Sequence, residues 1–187
     1  STGGWYANVK NIPSQSGGAD MVAVLNENYA LNGYNVGQWY FGSQAPTSSV
    51  FRVQNKDDAG ANGSTYVAYC FHSVDGYSKF GSFVGNGNAD GPFIYTGFRP
   101  AFIIWKHTSD TYYWHMEDNK RNTYNPVDTV LRPSESLAES TTTSEFGIDF
   151  LSNGFKPRVT WGGLNHSGST FIYIAFAETP FKYSNAR

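Results

Sequence analysis

An all-β fold, built as an antiparallel β-sandwich, is the architecture that this sequence predicts. Aromatic residues make up 17% of the chain and charged residues only 15%, a composition that suits strands better than helices. Short β-rich segments alternate with turn signals such as Asn32-Gly33, Asn62-Gly63 and Asn153-Gly154. Helical periodicity is almost absent, so no helical layer is expected.

The predicted strands are short and are distributed along the whole chain. They are Met21 to Leu25, Gln38 to Phe41, Ser49 to Gln54, Thr65 to His72, Ala101 to Lys106, Thr111 to Met116, Phe155 to Thr160 and Thr170 to Phe176. Such a series is typical of a sandwich or barrel, here of the jelly-roll or concanavalin-like kind. The length of 187 residues fits a single domain, 1–187.

One stretch in the middle of the chain is repeated near its end. Residues 63–71 read GSTYVAYCF and residues 168–176 read GSTFIYIAF. We interpret this as one strand hairpin used twice, either as equivalent strand pairs in one sandwich or as two related halves, 1–81 and 82–187. The first alternative is favoured because each half alone would bury little surface. Cys70, inside the first copy, is expected to be a small buried hydrophobe.

Charge and hydropathy exclude two classes of partner. The net charge is −2, and the lysine and arginine residues are scattered, so neither nucleic acid nor an anionic lipid surface is expected as a ligand. No apolar run approaches the roughly 20 residues that a membrane-spanning helix needs. We therefore expect no membrane insertion.

Several stretches resemble a domain of unknown function found in tail proteins of marine phages. The matching stretches are residues 77–81, 85–101, 122–128, 149–156 and 173–178, so the likeness covers about 62–182. The resemblance implies a tail fibre domain of an extracellular virion, homotrimeric and non-catalytic, that attaches to a host cell. It supplies no catalytic or ligand residues to carry over.

An aromatic segment outside the usual pattern of that family supplies the candidate binding residues. A sugar site needs exposed aromatic rings for stacking and polar side chains for directed hydrogen bonds. Alternate strand residues face opposite sides of a sheet, so some aromatics in this segment are expected to point away from the core. The alternative is that they pack in the core or against another subunit. The candidate ligand-binding residues are Trp105, His107, Asp110, Tyr112, Tyr113 and Trp114.

No metal, cofactor or catalytic motif is predicted. The four histidines lack the spacing of a helical zinc pair, and a single cysteine is present. Residues 86–91, NGNADG, match the first half of a calcium loop, but position twelve of that pattern is Gly97 instead of the bidentate glutamate. We expect no enzyme activity, because no nucleophile, zinc or phosphate-binding motif is present.

Three functions follow from these observations, in order of preference. The first is a receptor-binding domain that recognises a bacterial surface polysaccharide or another host receptor. The second is a purely structural virion protein, in the tail or decorating a capsid, whose aromatic surfaces contact other virion proteins or other subunits. The third is a depolymerase, which requires two carboxyl groups facing each other across a groove.

Overall fold

The computed structural model describes residues 4–10, 20–31, 47–55 and 60–180. The side chains of residues 8, 10, 20 and 21 are outside this description. The strands are β1 (Tyr6–Lys10), β2 (Asp20–Val24), β3 (Ser78–Val84), β4 (Ile94–Tyr95), β5 (Pro100–His107), β6 (His115–Asp118), β7 (Thr129–Val130), β8 (Ser140–Thr141), β9 (Ile148–Leu151), β10 (Gly154–Pro157) and β11 (Thr170–Ala177). Two single helical turns, α1 (Thr143–Phe146) and α2 (Gly162–Asn165), lie between strands.

All the strand ladders among these residues are antiparallel and form two main sheets. The larger has the order β3-β11-β5-β6 and the smaller the order β4-β10-β9, while β1-β2 and β7-β8 are separate hairpins. β11 is a central strand, paired with β3 on one side and β5 on the other. The prediction of an all-β sandwich is therefore confirmed.

Both faces of the larger sheet are covered at its two central strands, β11 and β5. On one face Phe171, Tyr173 and Trp105 pack against Phe150 and Phe155 of the smaller sheet. On the other face a second cluster contains Ala23 of the β1-β2 hairpin together with Leu31, Trp114 and Ile172. A strand covered on both faces reads as a nearly continuous apolar run, which explains the sequence of β11.

Strands β2, β5 and β11 lie where the sequence places them, whereas two other predicted strands are wrong. Residues 49–54 and 65–72 contain no strand. Thr111 to Met116 enters a strand only at His115, and Phe155 to Thr160 leaves its strand after Pro157. The prediction at Gln38 to Phe41 lies outside the described residues. No helix among the described residues is long and apolar enough to cross a membrane.

The repeated sequence does not produce a repeated hairpin. Residues 168–176 contribute β11, but residues 63–71 run as irregular chain on the surface. The expectation for Cys70 is also wrong, because its thiol is exposed. The division at residue 81 falls inside β3, so the two proposed halves share one strand.

Candidate ligand-binding site

The two tryptophans among the predicted binding residues are enclosed in the protein. Trp105 and Trp114 expose 0% and 1% of their surface. Trp105 stacks on His115 with ring centroids 4.2 Å apart, and the Trp114 Nε1 donates a hydrogen bond to the Val24 carbonyl at 2.9 Å. Each ring is enclosed on a different face of the sheet. Trp105 lies in the cluster between the two sheets, and Trp114 lies in the cluster under the β1-β2 hairpin. Neither ring face is therefore accessible to a ligand in this conformation.

The Tyr113 hydroxyl contacts Glu135 and not the other predicted binding residues of the 105–114 segment. A hydrogen bond to the Glu135 carboxylate raises the pKa of the Tyr113 hydroxyl. His107 and Tyr112 instead come together, with ring centroids 5.5 Å apart. The predicted segment is thus divided between two environments.

Trp161 and His166, distant in sequence, complete an aromatic group around His107 and Tyr112. The ring centroid of Trp161 lies 5.2 Å from that of Tyr112, and that of His166 lies 6.4 Å from that of His107. Tyr112 and Trp161 are half-buried, His107 is buried and His166 is exposed. We call these four residues the aromatic rim. Three of the four, Tyr112, Trp161 and His166, keep an accessible surface, and the buried His107 ring lies between Tyr112 and His166.

Two glycines after Trp161 fix the geometry of the rim. A Cβ atom at Gly163 would lie 2.1 Å from the Trp161 ring, so only glycine allows the indole to lie against this backbone. A Cβ atom at Gly162 would lie 3.1 Å from the Tyr112 hydroxyl oxygen. The helical turn α2 therefore holds the Trp161 and Tyr112 rings close together.

A buried lysine anchors the loop that carries Asp110 and Tyr112. The Lys106 ammonium donates hydrogen bonds to the carbonyls of Tyr112 at 2.5 Å and Asn28 at 3.2 Å. Burial lowers the pKa of Lys106 to about 8, an effect that the nearby Asp110 carboxylate opposes. Lys106 thus ties the loop to the segment after β2.

The polar groups at the rim are a neutral imidazole and a carboxylate. The Nδ1 of His107 accepts a hydrogen bond from the Ser109 N–H at 3.2 Å, which places the ring proton on Nε2. Burial lowers the pKa of His107, and the Asp110 charge opposes that shift. The Asp110 side chain is exposed, and its Oδ1 accepts a hydrogen bond from the Thr111 N–H at 2.7 Å.

Two further titratable groups with displaced pKa values are enclosed by the core. Burial raises the pKa of the Glu117 carboxyl well above its usual range, and the Asp128 charge adds to this effect, which the Trp105 indole and the Arg121 charge oppose. Burial lowers the pKa of His115 to about 3. Glu117 exposes 0% of its surface and His115 1%, so a substrate at the surface reaches neither.

In residues 86–91, which match half of a calcium loop, the oxygen atoms already accept hydrogen bonds or salt bridges from other residues of the protein. The Asn165 Nδ2 donates to the Asn86 Oδ1 at 3.0 Å and to the Asn88 carbonyl at 2.7 Å. The Asp90 carboxylate is paired with Lys156 at 2.7 Å and Arg158 at 3.0 Å. These contacts make the segment a structural turn. Within the described ranges no group of three or more histidine, cysteine, aspartate or glutamate residues has metal-binding geometry.

Sequence reasoning missed Trp161 and His166 as members of the rim. A signal was present, because Trp161-Gly162-Gly163 places an aromatic residue directly before two glycines. Its meaning depended on Tyr112 lying opposite, which only the tertiary contacts reveal. From the sequence, His166 is only one of the four histidines that lack the spacing of a helical zinc pair.

The fold and the rim together define an all-β sandwich domain with a partly exposed aromatic surface. The chain belongs to the family described as a domain of unknown function, DUF7483, whose model matches residues 6–180. This match begins well before residue 62, where the resemblance seen in the sequence starts. No curated protein matches the chain. No solved structure matches it either.

Proposed function

We propose that this domain is a non-catalytic attachment module that binds a surface glycan through the aromatic rim and Asp110. The observation that carries the proposal is the contact of Tyr112 with Trp161, which leaves two half-buried rings, the first of them on the loop that also carries the exposed Asp110, close enough to influence His107. A pyranose presents apolar C–H faces and a rim of hydroxyls. The rings match the first feature, and Asp110 together with the exposed His166 imidazole matches the second.

The wider context of the proposal is a tail fibre of an extracellular virion, homotrimeric and attached to a host through a bacterial surface polysaccharide or another receptor. Its support is the resemblance to phage tail proteins carried by residues 85–101 and 173–178. The net charge of −2 also fits a glycan that is not strongly anionic, because a slightly acidic protein does not attract a polyanion.

A binding function fits the described carboxyl groups better than hydrolysis does. A depolymerase needs one carboxyl of raised pKa and one ionised carboxyl, both facing a substrate groove. Glu117 has the raised pKa but is fully enclosed. Asp118 is held by Arg121, whose Nη2 lies 2.6 Å from the Asp118 Oδ2. We therefore rank polysaccharide cleavage last.

The purely structural alternative is favoured by a separate observation. A set of large apolar side chains on residues 47–55 and 64–73 is exposed to solvent, far from the rim in sequence. Apolar surface of this kind serves assembly more often than sugar recognition. A structural virion protein would use it without binding any host molecule.

A bacterial glycan array with matched variants tests the proposal. We expect saccharide-specific binding by the wild type, reduced about tenfold or more by Asp110→Asn and by Tyr112→Phe, each of which removes polar chemistry with little change of shape. Tyr124→Phe is the control, because Tyr124 is 85% exposed and lies outside the rim. Binding that both Asp110→Asn and Tyr112→Phe retain in full would refute this site, and no binding by the folded wild type would favour the structural alternative.

A further inference from the structure

The chain exposes an unusual amount of apolar surface on two neighbouring segments. We call this surface the apolar ledge; its members are Val50, Phe51, Val53, Tyr66, Val67, Tyr69 and Phe71. Their exposed fractions range from 44% at Phe51 to 73% at Val67. We propose that the apolar ledge is the interface through which this chain binds further copies of itself.

The two segments of the ledge are held side by side. A Cβ atom at Gly60 would lie 2.3 Å from the Gln54 carbonyl oxygen, so Gly60 lies directly against the first segment. The Ala61 N–H then donates a hydrogen bond to the Tyr66 hydroxyl at 3.0 Å. These two contacts place the start of the second segment against the end of the first.

The ledge is also supported from beneath at two positions. The Tyr69 ring stacks on Trp5 with centroids 6.5 Å apart, and the Phe71 ring stacks on Phe80 of β3 with centroids 5.8 Å apart. These contacts fix one side of each ring and leave Tyr69 69% and Phe71 66% exposed. A supported but uncovered aromatic surface is already organised for a partner, which reduces the entropy lost on binding.

The area of the ledge matches what a subunit interface requires. Seven large side chains exposed by about half to three-quarters present on the order of 700 Å², given the 150 to 250 Å² that an aromatic side chain offers. The largest apolar patch on a typical monomer is about 300 to 600 Å². A stable interface buries roughly 800 Å² per partner. The summed apolar area that the two segments expose is therefore of the size that one side of an interface requires.

Sequence and charge identify a second copy as the occupant. Residues 63–71 have nearly the sequence of β11, which in this fold pairs with strands of the same chain on both of its edges. Among the described residues, 67–71 form no strand ladder. Residues 64–73 contain no aspartate, glutamate, lysine or arginine, so two copies of the segment meet without like-charge repulsion. A neutral, strand-forming segment of this kind is self-complementary.

This inference does not depend on glycan binding, because no member of the ledge belongs to the aromatic rim. It supplies the surface that the proposed homotrimer requires. The number of copies is read from the same experiment that tests the surface.

Sedimentation of the full chain over a range of micromolar concentrations provides the test. We expect the wild type to associate, Val67→Lys/Tyr69→Lys to dissociate at least about tenfold more readily, and Tyr124→Lys to behave as the wild type. Tyr124 is the matched control because it is an 85% exposed aromatic outside the ledge. A wild type that stays monomeric, or association that the double variant does not weaken, overturns the proposal.

Maleimide labelling of Cys70 gives a second measurement that needs no variant. Cys70 is the single cysteine of the chain, is exposed, and lies between Tyr69 and Phe71. We expect its labelling to slow at least severalfold as the wild type associates. A labelling rate that is the same in the monomer and in the assembled protein would place the interface elsewhere and overturn the proposal, even if a trimer forms.

Discussion

Two stretches of nearly the same sequence have opposite structural roles in this protein. Residues 168–176 lie at the centre of the larger sheet, whereas residues 63–71 lie on the surface and pair with no strand in the part of the chain that the structure describes. Ile172 exposes 3% of its surface, and Val67, its equivalent in the other copy, exposes 73%. Local strand propensity is the same in both, so the difference arises from whether neighbouring strands are available on both sides. A strand-forming sequence therefore becomes a strand only where neighbouring strands are available to pair with it.

The largest expected effect comes from truncating the equivalent aliphatic residues. We expect Ile172→Ala to lower the free energy of unfolding by about 2 to 5 kcal/mol, because it opens a cavity in a packed core. Val67→Ala should change it by less than about 0.5 kcal/mol at high dilution, where copies are dissociated. Urea unfolding of both variants measures the difference. Equal losses would mean that the two stretches are not in different environments.

A smaller effect is expected from Glu117, the carboxyl group enclosed on β6. The raised pKa of Glu117 means that its stabilising contribution is complete below the unfolded value of about 4.3 and is lost as pH rises towards the folded value. We expect Glu117→Gln to gain stability relative to the wild type as pH increases from 4 to 8, at most about 1.4 kcal/mol per pH unit.

Glu145→Gln serves as the matched control for this pH series. Its stability difference from the wild type should stay nearly constant, because Glu145 is partly exposed and forms no salt bridge with another described residue. Chemical denaturation at several pH values measures both variants. A flat difference for Glu117→Gln would show that the carboxyl is not enclosed as described.

The smallest effect concerns the glycines that begin the two copies. Gly63 and Gly168 have φ values of 81° and 77°, and neither would bring a Cβ atom within 4 Å of another residue. We expect Gly63→Ala and Gly168→Ala each to cost about 1 kcal/mol, from left-handed backbone strain alone. Thermal unfolding measures the pair. A much larger loss at Gly168 would show that its turn is coupled to the core.

These glycines illustrate the structural features that individual residues determine by themselves, such as turns. Both copies have the same turn, although the segments that follow differ, because a left-handed turn depends on the residue that occupies it. The all-β class and strands β2, β5 and β11 were predictable for the same reason, since alternation and β-branched or aromatic content are local properties. Strand β3 was missed because Ser78, Gly81 and Ser82 weaken its apolar pattern.

The sequence alone determined the fold class, several strands and a segment rich in candidate binding residues. Tertiary structure decided which of those residues remain accessible: Trp105 and Trp114 became core, whereas His107 and Tyr112 joined Trp161 and His166. It also decided which copy of the repeated stretch is buried and which forms the apolar ledge. The physical reason is that burial depends on what covers each face of a sheet, and those covering residues come from distant parts of the chain.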